Sequence, residues 1–156
     1  MDQRIRLLLA ALDEAFDRKS WHGTTLRGSV RGVNAGRAAW RPGPGRHNIR
    51  EIVVHAAYWK YALKRRLTGE KRGSFELSGS NWFARPAGGE NAWRRDVDLL
   101  DRMHRELRAA VVRLRAADLG RRPGGSFTVA ALVRGITAHD LYHAGQIQLL
   151  KRLGKR

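Results

Sequence analysis

The chain has 156 residues, enough for one domain whose hydrophobic core needs no covalent staple. It contains no cysteine, which excludes disulfides and thiolate metal ligands, so any bound metal must be held by nitrogen and oxygen. Lys and Arg outnumber Asp and Glu by 31 to 14, a formal charge of +17 that favours an anionic partner. The cations are spread along the chain with no recognised nucleic-acid-binding motif beside them, which argues against nucleic acid as the main ligand.

The N-terminal stretch carries Asp2 and lacks the basic-then-apolar order of a signal peptide. No apolar run approaches the ~20 residues of a membrane span. These features predict a soluble, cytoplasmic protein without a membrane partner. Residues 2–17 repeat apolar side chains at Ile5, Leu8, Leu9, Leu12 and Phe16, the pattern of an amphipathic helix. Residues 27–46 are rich in Gly and Pro and promise only a short helical turn near 35–40.

A second long helix is expected from His47 or Asn48 to Leu67. Asn48 followed by Glu51 is a capping-box signature, and Gly69 stands where the helix should stop. Its inward stripe reads Ile52, His55, Ala56, Trp59, Ala62 or Leu63, and Arg66. Residues 69–90 show little periodicity. A loop of this length suits a crossover between two parallel helices, with Trp82 and Phe83 as candidate lid residues. The third helix is predicted over 91–119, on a seam of Trp93, Val97, Leu100, His104, Leu107, Val111 and Leu114. After the turn at 120–125, a last helix runs to Leu153 along Leu132, Ile136, His139, His143, Ile147 or Gln146, and Leu150. The expected fold class is all-α. It is a single four-helix bundle domain over residues 1–156, with a long crossover loop between the second and third helices.

Three histidines thus occupy core positions on two helices: His55, His139 and His143. Residues four apart share a helix face, so His139 and His143 can chelate one divalent ion. The alternative is ordinary hydrogen bonding of buried imidazoles, since an unpartnered one costs a few kcal/mol (~2 or more) to desolvate. His104 also lies on a seam, and a non-ligand role is preferred for it because three ligands plus water is the common catalytic plan. Glu51, Gln146 and Tyr142 are candidates for orienting an imidazole or assisting chemistry, with capping as the simpler role of Glu51. Asp140 lies about 100° around the helix from His139, away from the ion. His22 and His47 fall at helix ends and are expected to be solvated.

The stretches His55-Ala56-Ala57-Tyr58-Trp59 and Ala138-His139-Asp140-Leu141-Tyr142-His143-Ala144-Gly145-Gln146-Ile147 resemble the DinB-like superfamily of metal-binding four-helix bundles. Weaker similarity at 20–23, 42–52 and 66–69 falls in the same order. The resemblance implies one divalent ion (zinc, nickel, iron or manganese) on His55, His139 and His143, and a homodimer. Relatives include S-transferases that use bacillithiol or mycothiol. The expected function is therefore a metal-dependent enzyme activating an external low-molecular-weight thiol, because the chain has no thiol of its own. Such thiols carry carboxylates, which gives the basic surface an anionic small molecule to steer. A metal-dependent hydrolase, or a non-enzymatic metal-stabilised basic binding module, are the alternatives.

Overall fold

A computed structural model describes residues 1–86 and 88–154, which form helices and loops without a strand. Six α-helices follow in chain order: α1 (Gln3–Phe16), α2 (Leu26–Ser29), α3 (Ala35–Ala39), α4 (Ile49–Thr68), α5 (Glu90–Val112) and α6 (Val129–Leu153). Four are long, as the periodicity predicts. None is long and apolar enough to cross a membrane.

The helix ends follow from local chemistry. Asp2, Asn48 and Thr128 accept hydrogen bonds from first-turn amides of α1, α4 and α6 through their side chains. Glu51 completes the capping box with Asn48, and Gly69 ends α4 in the left-handed region at φ 77°. The short α2 was not expected; Thr25 starts it by accepting from the Gly28 amide. Helix α5 ends at Val112 rather than Leu119, and a 3-10 turn, Ala116–Gly120, takes the rest. There the Asp118 carboxylate accepts from the Arg115 amide, stabilising an extended Arg115 that breaks the helix. Leu114 still packs on the core from outside the helix, so the apolar repeat outruns the hydrogen-bond ladder.

Helix α4 packs on both α5 and α6, and α1 packs on the same two helices. Two apolar clusters fill the interior. One gathers Ile52, Val53, Ala56, Trp93, Leu100 and Ile147; the other gathers Ile5, Leu12, Leu63, Leu107, Val133 and Ile136. On α6 the polar run His139, Asp140 and His143 lies between Ile136 of one cluster and Ile147 of the other. Trp59 of α4 packs against both. Lys60 pairs with Asp140 at this join and His143 with Gln146, while His139 Nδ1 and Asp140 Oδ1 are buried with no hydrogen-bond partner among the described residues.

In the segment between α4 and α5, Phe75, Leu77 and Phe83 pack on the core while most of the other described residues are exposed. Phe83 is buried among Tyr58 and Phe75, so it serves the core rather than a detached lid. Arg50 donates to the Pro86 carbonyl at 2.8 Å and pairs with Asp96, which also receives Arg85.

Candidate metal centre

Helix α4 presents His55, and α6 presents His139 and His143 one turn apart. The Nε2 atoms of His55 and His139 are 3.1 Å apart, and those of His139 and His143 are 3.0 Å apart. The three residues place ligand atoms within 4.8 Å of one another. Imidazole nitrogens about 2.0–2.1 Å from a tetrahedral ion stand roughly 3.3 Å apart, so the convergence is close to what one ion requires.

The outer nitrogens decide which atoms face inward. His55 Nδ1 donates to the Asn81 carbonyl at 2.8 Å, and His143 Nδ1 donates to the Gln146 side-chain oxygen at 2.7 Å. With the proton on Nδ1, each Nε2 offers a lone pair toward His139, the arrangement that metal-binding histidines use. A single Nε2–H on His139 can serve one of these contacts well, not both. His139 Nδ1 is buried with no hydrogen-bond partner among the described residues. Lone pairs facing one another at 3 Å repel, and a cation between them removes the repulsion. The residues present therefore fit a divalent ion.

Protonation does not supply that cation. Burial pushes His139 down to about 3, with His143, His55 and Lys60 adding to the effect. Burial likewise holds His143 at about 4, against the opposing Gln146 hydrogen bond. His55 is lowered by burial, opposed by the Asn81 carbonyl. All three are neutral at pH 7, the form that ligates metal.

The wall of the site is aromatic. Trp82 stacks on His55 at 3.8 Å and on His47 at 3.6 Å, forming a three-ring sandwich. Asn81 makes the sandwich possible through a positive φ of 63°, rare outside glycine. In that conformation its carbonyl meets His55 while its side-chain oxygen accepts from Trp59 Nε1 at 3.0 Å. Trp59 stands edge-on to His55 and His139.

The other residues singled out in the sequence fall as follows. Gln146 orients His143 and donates to the Tyr142 hydroxyl at 3.0 Å, so these side chains form a chain running out to an exposed tyrosine. The Glu51 carboxylate meets Arg41, His47 and the Asn48 amide rather than His55. Burial would raise its pKa, but the Arg41 and His47 hydrogen bonds hold it at about 2. Glu51 is linked to the triad through His47 and Trp82. His47 is exposed, as its helix-end position predicts, and its ring also stacks on Trp82 in the site's wall, a partner 35 residues away that the position did not signal. His22 is exposed.

His104 is not in the triad: it is buried, stacked on Phe16 at 3.6 Å. Asp140 turns away from the triad and pairs with Lys60 at 2.5 Å, both side chains fully buried. Burial pushes the Lys60 ammonium down and the Asp140 carboxyl up, while their mutual attraction opposes both shifts. Sequence reasoning missed this pair because an isolated Lys between Trp59 and Tyr61 reads as a solvent-facing residue.

No curated protein and no solved structure matches the chain. A sequence model of the DinB superfamily matches residues 18–147, a span that holds the three histidines and most of the helical scaffold. The chain belongs to the DinB superfamily.

Proposed function

We propose that His55, His139 and His143 hold one divalent metal ion, and that the protein is an enzyme activating a low-molecular-weight thiol for transfer to an electrophile. The observation that carries this reading is the convergence of three Nε2 atoms, two of them with outward-facing Nδ1 protons. A divalent ion held there supplies Lewis-acid charge that lowers the pKa of a bound thiol or water. Neutral imidazoles leave that charge undiminished. His55 and His143 are kept in the ligating tautomer by Asn81 and Gln146, and the Trp59 and Trp82 rings restrict water around them.

Thiol transfer is favoured over hydrolysis by two properties of the chain. It has no cysteine, so a sulfur nucleophile must arrive as a separate molecule, and its charge of +17 attracts the carboxylates such molecules carry. A cytoplasmic setting keeps those thiols reduced. The segment between α4 and α5 completes the reading as the crossover. Its support is the matching order of the ion pairs Arg50–Asp96 and Lys64–Glu106 along the two helices. A homodimer is supported by the exposed apolar stripe of Tyr142, Leu149 and Leu153 on α6, and sedimentation as a monomer at micromolar concentration would remove it.

The test is a panel of electrophiles and hydrolysable esters assayed with metal-loaded protein, with and without bacillithiol, mycothiol or glutathione. Thiol-dependent conjugation that disappears in His143→Ala is the expected result. Turnover independent of thiol would instead identify a hydrolase. No turnover under either condition would overturn the enzymatic reading.

A further inference from the structure

Between α4 and α6 lies a cavity of about 240 Å³ that His139 helps to line. Trp59, Leu63, Leu132 and Ile136 make its walls apolar. An apolar protein cavity of ~150 Å³ accommodates benzene, so this one has room for a ring with a short chain. Among the described residues, Arg66 is the only charged side chain lining it. That residue is half-buried and has no ion pair or hydrogen bond among the described residues. An unpaired, partly desolvated guanidinium is a ready partner for a carboxylate. Trp59 stands beside His139, and Arg66 lies seven residues further along α4, a rise of about 10 Å.

Gly135 also lines the cavity, and it lies inside α6, where glycine is among the poorest helix formers. Packing does not demand it, because a Cβ at this position would meet no atom within 4 Å. What the missing side chain leaves is open space against the cavity. A second, more polar pocket of about 550 Å³ touches the triad at His143. Arg46, His47, Tyr142 and Gln146 line it, and it shares no residue with the first. Two reactants can therefore approach the triad without sharing a pocket.

We propose that the apolar cavity is the site for the acceptor substrate, and that it takes a small carboxylic acid with an aromatic or aliphatic body. The body packs on Trp59, Leu132 and Ile136, the carboxylate pairs with Arg66, and the far end lies beside His139. The word acceptor rests on the metal-centre reading; the binding itself does not.

Isothermal titration calorimetry on full-length protein tests it, with 4-phenylbutanoate and its neutral amide as probes and metal content measured on the same samples. The acid is expected to bind at least tenfold more tightly than the amide. Arg66→Gln should abolish that preference while still binding both. Gly135→Leu, which fills the cavity, should weaken the acid at least tenfold with metal content and helicity unchanged. Equal affinity for acid and amide in the unmodified protein would overturn the proposal. So would acid binding unaffected by Gly135→Leu, or no binding of either probe at millimolar concentration. Protein that neither contains nor takes up a divalent ion yet still prefers the acid would remove the metal reading and leave the cavity assignment standing.

Discussion

At the scale of single residues, burial of polar groups separates roles that sequence position makes look alike. His55, His139, His143 and His104 all fall on apolar stripes, and periodicity alone treats them equally. The first three converge, and two of them have acceptors for their outer nitrogens. His104 has neither: it stacks on Phe16, and its Nδ1 is buried without a partner among the described residues. Burial, with Lys60, Arg108 and Arg105 nearby, lowers its pKa to about 2. An unfolded histidine titrates near 6.5, so between pH 6.5 and 2 the unfolded chain binds a proton that the folded chain refuses. Stability tied to His104 is therefore complete above pH 6.5 and falls as the pH drops. His104→Phe keeps a ring on Phe16 and removes the titration. Compared with the unmodified protein, it should retain about 2 kcal/mol more stability on going from pH 8 to pH 5. Urea unfolding at the two pH values measures this, and an identical loss in both proteins would show that His104 charges freely in the fold.

At the scale of elements, the join between α4 and α6 is held by two polar devices side by side. The triad is one, and the Lys60–Asp140 pair is the other. Lys60 also lies 5.0 Å from the Phe16 ring centroid, and Asp140 Oδ1 has no hydrogen-bond partner among the described residues. Two ions removed from water stabilise little as a pair, yet removing one leaves the other uncompensated. Lys60→Met alone, or Asp140→Leu alone, should destabilise by about 3–5 kcal/mol, and the double variant should recover most of that loss. A double-mutant cycle in urea is the measurement. Single variants within about 1 kcal/mol of the unmodified protein would mean that the pair is hydrated rather than buried.

The same scale shows what a sequence can reveal. Helices α1, α4 and α6 were legible because apolar spacing and capping residues agree at each of them, and His139 with His143 was legible because four residues make one turn. The end of α5 was hidden, since the apolar repeat continues through Leu114 after the hydrogen bonding stops. Asn81, Trp82 and His47 were hidden for a different reason. Their roles depend on one left-handed backbone conformation in an irregular segment, and no periodicity encodes it. Lys60 and Asp140 are 80 residues apart, so only the folded chain pairs them.

At the scale of the whole molecule, the bundle brings two apolar clusters together across a polar layer, and the superfamily match covers that layer in full. A layer of neutral, converging imidazoles is poorly satisfied without a cation, so metal binding and folding stability should be coupled. The Cys-free composition and the +17 charge bear on what reaches the site, not on how it is built. The cavity beside His139 and the polar pocket beside His143 both border it.

The central claim is that this layer is a metal site. Elemental analysis of untagged protein, unmodified beside His55→Ala, tests it most directly, with thermal unfolding recorded before and after chelation. The account predicts about one divalent ion per chain in the unmodified protein, little or none in His55→Ala, and a lower melting temperature only for the unmodified protein once the ion is stripped. Unmodified protein that neither contains nor takes up a divalent ion, or His55→Ala with an undiminished metal content, would contradict it.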